Sequence, residues 1–197
     1  LGRPAIVDTP AGAGGAIGTE ATVRADPDGT TILLHSGAIG TEPALKRQIP
    51  YDVTRDLAAV TTAVQGPFAL LVAPQLPVKS VPELIAYAKA NPQRVNFGTP
   101  GAGTSVHLAS EQFKLAAGID ATHVPYKGAG PALTALMAGD VQFVVDPLAT
   151  AKKFAESGKV RAIAVTTAKR SDLWPSMPTV AEGGLSGFDS TVWYGIY

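Results

Sequence analysis

Two glycine-rich stretches of this sequence combine residue types that bind anions through the backbone. The first, TPAGAGGAIG at residues 9–18, follows an apolar stretch, Pro4–Val7, that predicts a short strand. The second, GTPGAGTSVHLAS at residues 98–110, places two hydroxyl side chains, Thr104 and Ser105, at the predicted start of a helix. Backbone N–H groups in such loops, together with the positive end of a helix, attract phosphate or carboxylate groups. Each stretch is therefore a candidate ligand loop.

The first stretch departs from the dinucleotide-binding fingerprint in two ways. That fingerprint needs G-x-G-x-x-G between a strand and a helix, with an acidic residue about 20 positions later. Here the spacing is G-x-G-G-x-x-G over Gly12–Gly18, and the next predicted strand ends in His35 and Ser36 without a carboxylate. We interpret this stretch as a sharp turn that lets a helix pack closely on the sheet, with at most a supporting role in binding.

The second stretch favours a small, singly charged anion. Thr104 is a preferred N-cap residue, and Gly101 and Gly103 permit a loop whose N–H groups point one way. No lysine follows in the spacing of a P-loop, so a carboxylate fits better than a polyphosphate. The alternative is an ordinary capped helix without a ligand. The candidate ligand-binding residues of this loop are Thr99, Gly101, Ala102, Gly103, Thr104 and Ser105.

The order of predicted strands and helices indicates an α/β fold. In the second half, strands at 94–99, 121–126, 141–146 and 159–167 alternate with helices at 105–117, 131–139 and 149–157. This alternation predicts a mostly parallel sheet covered on both faces. The first half carries predicted strands at 4–8, 30–35, 58–64 and 68–74, a helix at 16–25, and a helix from a capping box at Ser80 to about Ala90.

Further loops are expected at the same edge of the sheet as the second glycine loop. In parallel sheets, ligands bind in the crevice at the carboxyl ends of the strands. That edge would collect residues 36–40, 126–130 and 146–149. Lys127 would supply a positive charge. Asp146 would bind a ligand amine or hydroxyl, or would instead cap the helix at 149.

Composition argues against several function classes. Lys+Arg and Asp+Glu are both 16, so no net charge attracts nucleic acid, and the absence of cysteine excludes thiolate metal sites and cysteine nucleophiles. The three histidines have no metal-binding spacing, His107 is expected to bond locally, and no G-x-S-x-G motif appears. The apolar runs are too short to cross a membrane. We therefore expect a binding protein without catalytic residues, a metal or a cofactor.

Five segments together resemble the Bug/TctC family of extracytoplasmic solute-binding receptors. These are PAGAGGAIGTEATVRADPDGTTIL, IPYDVTRDLAAVT, NFGTPGAGTSVHLASEQFKLAAGID, HVPYKGAGPALTALMAGDVQFVVD and GKVRAIAVTTAKRSDLWPSMPTVAEGG. The resemblance covers nearly all of the chain and implies a type II periplasmic-binding-protein fold, in which two α/β lobes close on a ligand. It implies a first lobe at 1–72, rejoined by 193–197, and a second lobe at 73–192. Hinges are expected near 65–75 and 190–195.

The resemblance also implies a ligand and its contacts. The loop 99–105 matches the carboxylate loop of the second lobe, Asp146 matches an acid that ends a later strand, and Ser36 and Gly37 match a loop facing the cleft. Pro147 departs from the family pattern, which often has Asn there. The implied ligand is a di- or tricarboxylate, an acidic amino acid or an aromatic acid.

The resemblance further implies the setting in which the protein works. We expect a periplasmic monomer that passes its ligand to membrane subunits of a tripartite tricarboxylate transporter, with no nucleic acid partner. The chain is expected to be part of a longer polypeptide, with a signal peptide and a first strand before Leu1 and a further segment after Tyr197. The alternatives are an α/β enzyme acting on a phosphorylated small molecule and a ligand-sensing receptor of a signalling system.

Overall fold

A computed structural model describes residues 4–10, 12–41, 43–45 and 49–197. Short 3-10 turns occur at Ala13–Gly15 and Gly37–Thr41. The helices are α1 (Ala16–Val23), α2 (Val81–Ala90), α3 (Ser105–Ala117), α4 (Ala129–Ala138) and α5 (Leu148–Glu156). The strands are β1 (Leu34–Ser36), β2 (Thr61–Val72), β3 (Asn96–Thr99), β4 (Thr122–Pro125), β5 (Phe143–Pro147), β6 (Arg161–Val165) and β7 (Thr191–Ile196).

The four strands of the second half, β3 to β6, run in one direction as predicted, but β2 lies antiparallel between β5 and β6, so the sheet as a whole is mixed. Strand β2 runs antiparallel to β5, β6 and β7, and β1 runs antiparallel to β7. Strand β3 pairs in parallel with β4 and with β5, and an isolated parallel bridge joins Val165 to Thr179. Helices α3 and α4 provide the crossovers that such parallel pairs require, whereas β2 enters the same sheet from the first half in the opposite direction.

Two predictions for the first half need correction. The predicted strands 58–64 and 68–74 form one strand, β2, whose residues 61–67 pair with β7 and whose residues 68–72 pair with β5 and β6. The predicted strand over 4–8 is absent from the described structure. Ile6 and Val7 are 95% and 85% exposed, and no described strand supplies the hydrogen bonds that would hold this segment extended in a sheet.

Helix α2 begins, and α3 begins and ends, where the capping residues predict, whereas α4 begins at Ala129, before the predicted start at Pro131, and α5 begins at Leu148 instead of residue 149. The Ser80 hydroxyl accepts a hydrogen bond from the Glu83 amide, and the Glu83 carboxylate accepts one from the Lys79 amide at 2.8 Å. Thr104 caps α3 in the same way, and Gly118 ends it with a left-handed backbone conformation. These local signals explain why α3 has the predicted bounds of 105–117.

One apolar core packs the strands and helices of the second half together. It thereby positions the sheet edge at which a ligand is expected to bind. Phe97, Phe113 and Phe143 are fully buried and pack on one another. Because β3, β4 and β5 are parallel, their carboxyl ends lie together at one edge. That edge presents the loop after Thr99, the loop after Pro125, and Asp146. In the described part of the chain, none of the helices combines the length and the apolar character that crossing a bilayer requires.

Candidate functional site

A cavity of about 340 Å³ lies between the two glycine-rich loops. Residues 10 and 12–15 line one side, and residues 100–102, 104 and 126–128 line the other. A larger cavity of about 530 Å³ lies against the C-terminal half of α1 and residues 55–60, but none of the predicted site residues lines it. The cavity between the loops holds four of those residues, so it is the better candidate for the binding site.

Internal hydrogen bonds fix the loop over residues 99–105. The Thr104 hydroxyl donates to the Gly101 carbonyl at 2.8 Å and accepts from the His107 amide at 3.3 Å. The Thr99 hydroxyl accepts from the Gly101 amide at 3.2 Å. Gly101 and Gly103 have φ angles of 143° and 82°, which side chains other than glycine rarely adopt. The predicted loop is thus a hydrogen-bonded turn that leads directly into α3.

Two predicted amide donors of this loop are occupied. The Gly101 amide donates to Thr99, and the Gly103 amide donates to Nδ1 of His107 at 3.1 Å. The latter contact confirms that His107 bonds locally. Ser105 is the first residue of α3, so its amide has no intrahelical acceptor, and its hydroxyl lies beside it. Ligand contacts from this loop stay a prediction: the Thr104 hydroxyl and amide both donate to the Gly101 carbonyl, and Ser105 does not line the cavity.

The first glycine loop faces the second across the cavity. Gly12, Gly14 and Gly15 all have positive φ angles, and a Cβ on Gly101 would lie only 3.9 Å from the Gly14 amide nitrogen. A Cβ on Gly15 would overlap the buried His35 ring. Sequence reasoning gave this loop at most a supporting role, yet it forms one wall of the cavity. The density of glycines was the signal that pointed to it.

Ser36 and Gly37 lie away from the cavity between the loops. Ser36 ends β1 opposite Tyr194, and a Cβ on Gly37 would lie 2.6 Å from Nε1 of Trp193. Neither residue lines the cavity. The turn after them nevertheless reaches the second loop, because the Thr41 hydroxyl is 3.3 Å from the Gly103 carbonyl. Direct ligand contact from Ser36 and Gly37 stays a prediction.

Lys127 brings a positive charge to the cavity. It is exposed and follows β4, next to Tyr126, in the loop that leads to α4. A surface ammonium contributes little binding energy by itself but attracts anions over several ångströms. Its position fits the predicted role of drawing a carboxylate towards the N-terminal end of α3.

Asp146 is buried without a hydrogen-bond partner for one of its oxygens. It is 1% exposed, and Oδ2 has no partner among the described residues. Burial raises the pKa of this carboxyl to about 7. The neighbouring Tyr194 also has a raised pKa, first because it is buried and then because of the Asp146 charge. The N-cap of α5 is Pro147, with no side-chain cap, so the alternative in which Asp146 caps this helix is wrong.

The cavity can bind an anion but lacks an evident acid–base pair. Its lining is mainly apolar, made of glycines, alanines and prolines, and its polar residues are Thr104, Tyr126 and Lys127. Asp146 lies outside this lining, so its contact with a ligand stays a prediction. Within the described residues, no group of three or more His, Asp or Glu side chains is arranged to hold a metal ion.

Comparisons with known proteins agree on one family. The model of the tripartite tricarboxylate transporter family receptor, TctC, matches residues 1–197. Protein BugT of Bordetella pertussis is 37% identical over 198 residues, which cover all of this chain and 61% of that protein. The chain therefore spans about three fifths of the length of this relative.

Solved structures show the same likeness. R. palustris Rpa4515 with adipate is 34% identical, with a TM-score of 0.92 over 97% of this chain and 64% of that one. MatC from Rhodopseudomonas palustris with bound malate is 31% identical, with a TM-score of 0.86 over 94% of this chain and 62% of that one. These matches confirm the predicted two-lobe fold of periplasmic binding proteins, while the lobe boundaries at residues 72 and 192 stay predictions. This chain belongs to the TctC family, the receptors of tripartite tricarboxylate transporters.

Proposed function

We propose that this chain forms the ligand-binding part of a periplasmic receptor that captures a small carboxylate. The observation that carries the proposal is the cavity between the two glycine loops, which ends at the N-terminus of α3 and holds Thr104 and Lys127. Its volume falls in the range of small-molecule sites, and its donors suit a carboxylate. Two similar structures, one with adipate and one with bound malate, support the same ligand class.

The energetics suit a scavenging receptor. Hydrogen bonds to a charged group contribute roughly 1.5–3 kcal/mol each, and a helix N-terminus adds about 0.3–1 kcal/mol. Four or five such bonds, less several kcal/mol for association, correspond to roughly micromolar affinity. The ligand is then held strongly enough to be collected and weakly enough to be released.

Closure of two lobes around the ligand is the proposed mechanism. The proposed hinges lie near residues 65–75 and 190–195, and the pairing of residues 65–67 on β2 with residues 191–193 on β7 supports two connections side by side there. The closed form, a monomer, is recognised by the membrane subunits of the transporter. The ligand leaves unchanged, because the cavity lining supports binding and offers no paired groups for proton transfer.

A thermal-shift screen tests this function. The purified chain is heated with adipate, malate, citrate, aspartate or benzoate, and with ATP as the control for a phosphorylated ligand. We expect at least one carboxylate to raise the melting temperature, and titration calorimetry to give a dissociation constant in the micromolar range. A rise with ATP and with none of the carboxylates would overturn the proposal.

Variants of the loop test the location of the site. Replacing Thr104 and Ser105 together by alanine removes both hydroxyls at the start of α3. We expect binding of the carboxylate found in the screen to weaken by about tenfold or more, the equivalent of about 1.4 kcal/mol. An unchanged dissociation constant would remove this loop from the site.

A further inference from the structure

Two stacked histidine rings lie directly beneath the loop 99–105. The ring centroids of His107, on α3, and His123, on β4, are 4.0 Å apart with an angle of 27° between the ring planes. Phe97 stacks on His123 from below, at 5.1 Å. Neither ring lines the cavity, yet each makes a hydrogen bond to the loop that does.

The hydrogen bonds of the two rings point to an unprotonated nitrogen facing the loop on each of them. The Gly103 amide donates to Nδ1 of His107, so that nitrogen is an acceptor. The Thr99 hydroxyl already accepts from the Gly101 amide and lies 2.6 Å from Nε2 of His123. Its single proton has two acceptors within reach, Nε2 of His123 at 2.6 Å and the Gly101 carbonyl at 3.3 Å. We assign the proton to the nearer Nε2, which then also acts as an acceptor. A chain of bonds thus runs from the Gly101 amide through Thr99 to His123.

The charged groups near the two rings, Glu111 and Lys114, lie on α3, the helix that also carries His107. Oε1 of Glu111 lies 3.8 Å from Nε2 of His107, and Lys114 pairs with Glu111 at 2.6 Å. Burial lowers the pKa of His123 to about 4, and His107 is the next cause, while Lys114 lowers it and Glu111 raises it to smaller extents. These surroundings favour the neutral form of His123 that its bond to Thr99 requires.

We propose that His107 and His123 are positioning residues that hold the loop 99–105 in its ligand-binding shape, and that protonation of the rings releases it. The inference rests on the proposed function, since it assigns a support to the same site. Protonating Nδ1 of His107 turns the acceptor of the Gly103 amide into a donor. Protonating Nε2 of His123 reverses the bond to Thr99. Two charged rings at stacking distance would also repel each other.

Isomeric amide substitutions separate this role from simple packing. Asparagine places an oxygen where Nδ1 of histidine lies, and glutamine places one where Nε2 lies. His107→Asn and His123→Gln therefore keep the acceptor that the loop needs, whereas His107→Gln and His123→Asn move it away. Both substitutions at one histidine remove its ring from the stack. If the ring served only for packing, the two substitutions would therefore weaken binding equally.

The experiment measures adipate and malate binding to the full chain by calorimetry between pH 8 and pH 4. We expect His107→Asn and His123→Gln to bind at pH 8 within about threefold of wild type. Because one loop hydrogen bond is worth about 1 kcal/mol, His107→Gln and His123→Asn should bind about fivefold to tenfold more weakly. The double variant His107→Asn, His123→Gln should lose affinity less steeply than wild type as the pH falls, since it has no ring to protonate.

A ligand-free measurement keeps this inference separate from the proposed function. In ¹⁵N NMR spectra of the free chain, the Gly103 amide signal should move with pH in wild type, and His107→Gln should shift it further than His107→Asn does. Equal binding by all variants, or a Gly103 signal indifferent to His107, would overturn the positioning role. Failure of wild type to bind any carboxylate would overturn the proposed function instead, and the NMR result would still decide whether the rings hold the loop.

Discussion

The two glycine-rich loops that face each other across the cavity are built by different means. The loop at residues 12–15 takes its shape from consecutive positive φ angles and from the His35 ring packed on Gly15. The loop at residues 99–105 takes its shape from side chains: Thr99, Thr104 and two histidines bond its amides and carbonyls. One wall is shaped by the absence of side chains, and the other by their hydrogen bonds.

This difference decides which wall of the cavity can carry groups that titrate or select a ligand. A wall of glycines sets the distance and shape of the cavity but contains no group that titrates or selects a ligand. The opposite wall belongs to the sheet edge that also carries His123 and Asp146, both of which have shifted pKa values. We call the loop 12–15 the first side, and the loop 99–105 with the adjoining strand ends the second side. Substitutions on the first side should act mainly through backbone strain, and substitutions on the second side mainly through charge and hydrogen bonding.

The largest expected effect is a pH dependence located at Asp146. Its pKa in the folded protein is about 7, against an ordinary 3.8, so its contribution to stability is present below about pH 4 and is lost as the pH rises through 7. Asp146→Asn stays uncharged at every pH. We expect its free energy of unfolding to exceed that of wild type at pH 8, by on the order of 4 kcal/mol at most, and the gap to close towards pH 4.

Urea denaturation at pH 4, 6 and 8 measures this dependence. The matched control is Asp172→Asn, at an exposed position in the loop after β6, whose difference from wild type should not follow the same course. If Asp146→Asn differs from wild type by the same amount at all three pH values, the second side does not carry the titrating group and the comparison fails.

Alanine at Gly15 should cost more stability than alanine at Gly101. Both positions have positive φ, which strains a side chain by about 1–3 kcal/mol, but at Gly15 the new Cβ also overlaps the His35 ring. At Gly101 its nearest neighbours are 3.9 Å away, and the methyl group enters the cavity. We expect Gly15→Ala to lower the melting temperature further, and Gly101→Ala to weaken ligand binding more than it lowers stability.

A second substitution checks the cause at Gly15. In the Gly15→Ala background, His35→Ala removes the overlapping ring and should restore part of the lost stability. Equal melting temperatures for Gly15→Ala and Gly101→Ala would show that strain alone acts at both loops.

Removal of an N-cap should weaken binding only where the cap also holds the loop 99–105 beside the cavity. Thr104→Ala and Ser80→Ala each lose a cap worth about 1 kcal/mol, so both should lower the free energy of unfolding by similar amounts. Only Thr104 also holds the Gly101 carbonyl beside the cavity. Calorimetry with adipate and malate should show weaker binding for Thr104→Ala and unchanged binding for Ser80→Ala; equal losses would mean that Thr104 acts through helix stability alone.

The smallest expected effect is at Lys127. Because the side chain is exposed, Lys127→Gln should weaken carboxylate binding by only about twofold to threefold at low salt, with no difference from wild type at high salt. Lys159→Gln, at an exposed position between α5 and β6, is the control and should bind like wild type at any salt concentration. A salt-independent loss at Lys127 would indicate a direct hydrogen bond to the ligand.

Local signals in the sequence predict the bounds of α2 and α3 well. Ser80 and Glu83 mark the start of α2, Thr104 marks the start of α3 and Gly118 its end, because a cap is decided by residues three or four positions apart. The residue types of the loop around Thr104 also predict it as a candidate site.

Non-local pairing accounts for what the sequence did not predict. The direction of β2 relative to β5 depends on residues more than 70 positions apart, so alternation of strands and helices suggested a parallel sheet that is in fact mixed. The stack of His107 on His123 joins two elements with no spacing rule between them. The approach of Gly14 to Gly101 likewise depends on how the two halves pack, which is why the first loop was underrated.

The long strand β2 gives the protein a built-in reporter of local stability. Its residues 61–65 are exposed and pair on one edge with β7, whereas residues 68–72 are fully buried between β5 and β6. Amide hydrogen exchange along this one strand should therefore change from fast to slow across Gly66 and Pro67. Since that step coincides with the proposed hinge, slower exchange before Gly66 on adding a ligand would reveal closure without any label attached to the protein.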